Sequence, residues 1–309
     1  MASKIDFNER TLAHVLMIFL VISWGFDYVP AKWGLEIMDP LTLLFIKYIL
    51  GFVVAFGMKC FKGSRQWIRK KDIPVFILCS IFGELIYFYC EYSAMNYIPV
   101  ALLTIILGFV PVVSVLVERV LYKRIPNAKI IIGIAFCIIG ICFVLSSDLK
   151  VIFEGRIFGY ILAFAAVFSW NAYNFITASL ERYDSLTVSC TQMICTICLC
   201  APLAIHSGFP ALSEFSPQLI AGLLWIGVFD AGIGFIIMVY ALKKLGPTIS
   251  ALYSDFLPVS TTFFGAVILH ESITWLQVVG GIIVVAAGFV VIREKGRLDE
   301  ERLSDPQTH

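Results

Sequence analysis

Residues 92–99 read Tyr92-Ser-Ala-Met-Asn-Tyr-Ile-Pro99, and residues 240–247 read Tyr240-Ala-Leu-Lys-Lys-Leu-Gly-Pro247. Each is a short joint between long apolar runs, and each closes on a proline. The correspondence extends in both directions. Pro111 matches Pro258 and Gly133 matches Gly280, each 147 residues on, while Trp24-Gly matches Trp170-Asn 146 residues on. Self-similarity at a nearly fixed offset marks an internal repeat.

A membrane-crossing helix needs about 20 apolar residues. Charged or Pro/Gly-marked breaks divide the chain into ten such runs, at 12–32, 41–58, 74–93, 100–121, 130–147, 157–179, 186–205, 218–241, 248–269 and 275–292. The joints are mostly short, so neighbouring helices are expected to run antiparallel. Five runs separate equivalent positions, and five is odd, so the second copy must enter the membrane from the opposite side. The expected fold is an all-α membrane protein of ten transmembrane helices in two inverted five-helix repeats, 11–147 and 156–293. Residues 294–309 read as a charged, disordered cytoplasmic tail.

Composition agrees. Of the 309 residues, 60% are hydrophobic and 15% charged, against about 25% charged in soluble domains. The solvent for most of the surface is therefore lipid. Net charge is +1 and no basic stripe carries interleaved aromatics, so no nucleic-acid partner is expected. The nine cysteines lie mostly inside apolar runs and read as packing residues. No metal site and no cofactor are expected. The first run lacks a cleavage signature and reads as a retained span. If the N-terminus is cytoplasmic, the inside segments hold eighteen Lys and Arg and the outside segments only Lys32, Lys150 and Arg156. That asymmetry places both termini in the cytoplasm and the chain in the plasma membrane.

Ionisable side chains within hydrocarbon are costly and usually face a cavity or a partner. Here they are Asp27, Lys47, Glu84, Glu91, Glu118, Asp230 and Asp255. Glu84, Tyr87 and Glu91 share one helix face, as do Trp24 and Asp27. Trp170, Tyr173 and Asn174 make the sixth run unusually polar and aromatic. Carboxylates among aromatic faces suit a cationic or zwitterionic solute. The candidate solute-binding residues are Trp24, Asp27, Glu84, Tyr87, Trp170, Tyr173, Asn174, Asp230 and Asp255. Lys47 and Glu91 are candidate coupling or counter-ion groups, with a proton as the coupling ion. Pro111 and Pro258 sit inside runs and read as hinges or fixed kinks. Gly133, Gly140, Gly280, Gly281 and Gly288 allow close helix contact, within a monomer or across a homodimer seam.

Inverted repeats are a transporter device, since two pseudo-symmetric conformations of one chain give alternating access to a central site. The competing class is a membrane-embedded enzyme acting on a lipid-linked substrate. That needs a polar catalytic cluster at a membrane face, and the sequence holds no Asp-Asp-x-x-Asp, no His-Glu-x-x-His and no Ser/His/Asp set. No catalytic residue is expected, and no channel filter is visible.

Several segments also carry a resemblance. They are Trp24-Gly-Phe-Asp-Tyr-Val-Pro-Ala-Lys-Trp-Gly-Leu35 with Pro40-Leu-Thr, Tyr92 to Pro99 leading into Pro111, Gly246-Pro247 through Pro258 to His270-Glu271, and Gly280-Gly-Ile-Ile-Val-Val-Ala-Ala-Gly288. In this order and spacing, over about residues 12–292, the chain resembles the drug/metabolite transporter superfamily and, within it, the EamA-type transporters. The resemblance implies ten spans, two five-helix repeats and a cavity lined by spans 1, 3, 4, 6, 8 and 9. It also implies export or exchange of small metabolites such as amino acids. Two departures stand out. Ile46-Lys47-Tyr48 replaces the family's frequent Leu-Arg-Phe, and Lys123-Arg124 stands where span 4 of the family ends on Gly-Glu.

Overall fold

The computed structural model describes residues 7–63, 66–122, 127–146, 157–254, 256–271 and 273–304. Among them all regular structure is helical. The elements are α1 (Phe7–Leu35), α2 (Pro40–Phe61), α3 (Ile73–Cys79), α4 (Tyr87–Ala94), α5 (Val100–Leu107), α6 (Val110–Tyr122) and α7 (Ala128–Ser146). They are followed by α8 (Ile157–Ala178), α9 (Ser185–Ser207), α10 (Pro217–Leu224), α11 (Phe235–Ser254), α12 (Leu257–Ile268) and α13 (Trp275–Ser304). Two π-helical segments, Ser80–Ile86 and Trp225–Gly234, join α3 to α4 and α10 to α11. Among the described residues six helices, counting such joined elements as one, are long and apolar enough to cross a membrane.

The helices are inside-out by soluble standards. On α1, Val15, Ile18, Phe19 and Ile22 form an exposed apolar stripe, with Ile18 54% exposed, whereas Asp27 is 6% exposed. Apolar outside and polar inside is the pattern lipid demands.

Local chemistry sets the ends. Asp39 caps α2 by accepting from the Leu41 N–H (2.9 Å), and Asp184 caps α9 by accepting from Thr187 N–H (2.8 Å). Pro40 and Pro217 occupy first-turn positions, where the missing N–H costs nothing. Gly208, at φ 88°, stops α9 in a conformation that penalises any Cβ.

Helix α1 works as a ruler for the second half of the chain. Phe235 packs on Trp24 (6.5 Å between ring centroids), and Lys244 pairs with Glu9 (2.6 Å). The contacts then climb back. Tyr253 meets His14 (2.5 Å), Ser260 donates to the Ile22 carbonyl (3.4 Å), Phe264 packs on Phe26 (5.3 Å) and Glu271 pairs with Lys32 (2.6 Å). The chain thus reverses between residues 244 and 253, although helical hydrogen bonding is continuous over Phe235–Ser254. The helical assignment runs through the joint expected at 242–247.

Helix α8 is flanked in the same way by the first half. Ser169 donates to the Phe82 carbonyl (2.6 Å), Gly159 lies against Tyr97 and Ile98, and on the return Phe109 meets Phe164 (6.3 Å) and Asn171 donates to the Val110 carbonyl (3.2 Å). The fourth run is broken between Leu107 and Val110, and in the ninth a turn at Phe256 precedes the helix that starts at Leu257. Pro111 and Pro258 therefore sit in the first turn of α6 and α12. They start a new helix segment and do not kink a continuous one.

Charged contacts tie the helices together at both ends. At one, Lys244 meets Glu9, Lys243 donates to the Tyr183 carbonyl, and Tyr183 and Arg182 both reach Asp72 (2.5 and 3.4 Å). At the other, Lys32 pairs with Glu271, which also accepts the Val100 N–H (3.3 Å).

Helices α7 and α13 pack along their glycines. Cys137 donates to the Val284 carbonyl (3.7 Å). A Cβ at Gly140 would lie 2.8 Å from the Gly280 carbonyl oxygen, and one at Gly133 would lie 3.4 Å from that of Ala287. Close backbone approach of this kind drives helix association in lipid, where apolar burial does not. Gly140→Leu is expected to lower stability by about 1–3 kcal/mol, read as a fall in the unfolding midpoint in detergent. An unchanged midpoint would show that these two helices are not in contact. The tail expected to be disordered instead continues α13 to Ser304. Glu294 joins it to α7 by accepting from Asn127 (2.6 Å), and the Arg297 hydrogen bond holds the Glu294 carboxyl down at about 2. Glu and Arg at helical spacing extend the helix past the apolar run.

Candidate functional site

A cavity of about 40 Å³ lies among α1, α4, α8 and the π-helical segment 225–234, beside the breaks that end at Val110 and Leu257. Helix α1 contributes Trp24, Asp27 and Tyr28, at i, i+3 and i+4, which is one helix face. Helix α4 contributes Tyr87, Phe88 and Glu91, and α8 contributes Trp170. Asp230 arrives from the π-helical segment, whose extra residue per turn re-aims the side chains that follow.

The charges are buried and unequal in number. Lys47 on α2 is completely buried, forms an ion pair with Asp230 and lies 3.8 Å from Asp27. Its ammonium also donates to the Tyr92 hydroxyl (2.9 Å) and sits over the Phe88 ring, 3.6 Å from the centroid. Glu91 accepts from Tyr28 (2.5 Å) and Tyr87 (2.8 Å) through one oxygen. Three carboxyl groups thus line the cavity and Lys47 is the cation beside them. On the cavity-lining residues Asp230 Oδ2 has only the Lys47 ion pair, and two further polar atoms have neither a hydrogen bond nor an ion pair among the described residues. Asp27 Oδ1 and the Trp24 indole nitrogen are buried and make no hydrogen bond. A buried group without a partner costs about 1–3 kcal/mol, which a ligand bonding to both would recover.

Aromatic rings close the remaining walls. Trp24 meets Trp170 edge to face (6.2 Å), Tyr87 leans on Trp170 (4.7 Å), and Tyr173 stacks on its far side (5.0 Å, 27°). Phe235 packs against Trp24, Tyr48, Phe88, Trp170 and Tyr173.

Of the residues singled out from sequence, Trp24, Asp27, Tyr87, Glu91, Trp170 and Asp230 line this cavity. Tyr173 supports Trp170 from behind. Asn174 and Glu84 do not line it. Glu84 is fully buried and accepts from Thr196 of α9. It emerges from the other π-helical segment, within Ser80–Ile86. Asp255 lies outside the described residues, as do the side chains of Glu118 and Pro111. Sequence reasoning missed Tyr28, Phe88, Tyr92 and Phe235. Tyr28 follows from Trp24 by the i, i+4 rule, whereas no local signal marks Phe235.

The sequence profile of the EamA-like transporter family matches this chain twice, at residues 11–146 and 157–293. A protein of Archaeoglobus fulgidus named "Uncharacterized transporter" is 22% identical over 291 residues, covering 92% of this chain and 97% of its own. A Salmonella typhimurium protein named "Probable amino-acid metabolite efflux pump" is 23% identical over 293 residues, covering 89% of this chain and 93% of its own. A solved crystal structure superposes with a TM-score of 0.64 at 18% identity, covering 91% of this chain and 97% of the other. At that identity the likeness shows the fold.

Proposed function

This chain belongs to the EamA-like transporter family, and from that premise we propose that it is a ten-span secondary transporter of two inverted five-helix repeats. It moves a small ammonium-bearing metabolite, an amino acid or related amine, across the plasma membrane by alternating access, as an exporter or exchanger. Both termini are then cytoplasmic, following the Lys and Arg distribution.

Pairs of equivalent residues that touch each other support the inverted repeat. Trp24 meets Trp170, 146 residues on, and Cys137 meets Val284, 147 residues on. Residues related by a twofold meet their own equivalents only on its axis. Gly140 on Gly280 and Gly133 on Ala287 are likewise one contact seen twice. The Asp caps at 39 and 184, the two π-helical segments and the two breaks before Pro111 and Pro258 occupy matching places. The direction reverses, since α1 runs from the Glu9–Lys244 end to the Lys32–Glu271 end, and α8 runs from Tyr97 towards Tyr183.

The single observation that carries the substrate class is the Asp27 carboxyl oxygen left without a hydrogen bond, in a cavity with three acids and aromatic walls. An ammonium satisfies that oxygen by a charge-assisted hydrogen bond and the rings by cation–π attraction. About 40 Å³ holds a few waters, far below the roughly 300–1,000 Å³ of ligand sites. A metabolite therefore enters only if the walls part, and we assign that movement to the two broken helices, with Pro111 and Pro258 as the hinge ends. Glu91, held by two phenols and by no described cation, is the group we assign to a coupling proton.

Counterflow in proteoliposomes tests this reading. Labelled amino acids and primary amines are expected to exchange, their deaminated analogues are not, and an inward proton gradient is expected to speed efflux. Transport of the deaminated acids alone, or of nothing in the panel, would refute it.

A further inference from the structure

Lys47 occupies the position an ammonium ligand would take. Its Nζ is ion-paired to Asp230, 3.8 Å from Asp27, 3.6 Å from the centre of the Phe88 ring and 5.3 Å from that of Tyr92. Two carboxylates and two aromatic faces around one nitrogen form a cage for an alkylammonium ion. The repeat does not demand a lysine there. Aligning the Asp39 and Asp184 caps places Gln192 of α9 opposite Lys47 of α2, and Gln192 is as deeply buried as Lys47. The same position is thus filled by a neutral side chain in the second half and by an amine in the first.

We propose that Lys47 is a tethered stand-in for the ammonium group of the transported solute, an inference that rests on the amine-transport reading above. Without solute, the Lys47 ammonium compensates Asp230 and Asp27, so the closed, empty protein holds no fully uncompensated pair of buried carboxylates. Burying such a pair is the step that would otherwise forbid closure. When solute is present its ammonium takes the free Oδ1 of Asp27, and Lys47 stays on Asp230. The stand-in allows the empty protein to change conformation, so net transport does not require exchange. Remove it, and closure depends on solute in both directions, which leaves exchange alone.

The test uses Lys47→Ala in the full chain. The atoms removed correspond to n-propylammonium, which serves as the probe. In proteoliposomes, net efflux of an amino acid carried by the unmodified protein is expected to fall at least tenfold. Counterflow is expected to stay within about threefold, and n-propylammonium is expected to restore net efflux. In detergent, n-propylammonium is expected to raise the unfolding midpoint of Lys47→Ala and leave the unmodified protein unchanged, while n-propanol raises neither. Should Lys47→Ala fail to fold, Lys47→Gln, which copies the neutral side chain at the matching position of α9, enters the same transport assays, with loss of net efflux again expected. Net efflux and counterflow falling together would overturn the proposal, as would the absence of any n-propylammonium effect on the Lys47→Ala midpoint. If the unmodified protein moves no amine, the transport reading fails, and the midpoint measurement alone decides whether the cage takes an ammonium.

Discussion

Asp27→Asn is expected to reduce counterflow of ammonium-bearing solutes by about 30- to 100-fold while the protein inserts and unfolds at nearly its usual temperature. The geometry separates the two effects. Asp27 Oδ1 makes no hydrogen bond among the described residues, and the Asp27 contact to Lys47 is the long one, at 3.8 Å, whereas Lys47 keeps its ion pair with Asp230. Little internal energy is lost, and Asn has the same shape. What disappears is the negative charge offered to the solute. A hydrogen bond to a charged group contributes about 1.5–3 kcal/mol, and about 1.4 kcal/mol corresponds to tenfold. Counterflow together with the unfolding midpoint checks this. An unfolded variant, or one that transports at the normal rate, would show that Asp27 is a structural acid.

Asp230→Ala is expected to behave in the opposite way, costing about 3–5 kcal/mol of stability because it strips the near partner from a fully buried ammonium. The pair itself need not be stabilising. Replacing both members, as Lys47→Met/Asp230→Leu, is expected to recover most of the loss, since apolar residues of similar volume avoid the desolvation of two charges. Unfolding midpoints of Lys47→Met, Asp230→Leu and the double variant form the cycle that decides it. Additive losses would mean that Lys47 and Asp230 do not interact, contrary to the ion pair seen here.

The sequence shows the coarse fold because lipid imposes a simple rule. Apolar runs of sufficient length become helices, and basic joints mark one side. The charges sorted that way meet within their own groups, as in Glu9 with Lys244, Asp72 with Arg182 and Lys32 with Glu271. The helical spacing of Trp24 with Asp27 and of Tyr87 with Glu91 places four of the cavity residues correctly, because spacing on one helix is local information. What could not be read is tertiary. Lys47 finds Asp230 rather than Glu84, although all three are buried acids or bases in neighbouring runs. That choice depends on which π-helical segment faces which helix. The π-helical segments themselves add one residue per turn and have no compositional mark. The helix over Phe235–Ser254 runs through Gly246-Pro247, where the sequence reads a joint.

The central claim is that one cavity between two opposed halves serves both sides of the membrane in turn. Leu107→Cys, on the cavity wall beside the break in the fourth run, tests it in a chain whose nine native cysteines are replaced by serine or alanine. A membrane-impermeant thiol reagent is expected to modify this residue from either side of sealed vesicles, and a transported amine is expected to slow both reactions. Modification from one side only, with no change on adding solute, would contradict the account.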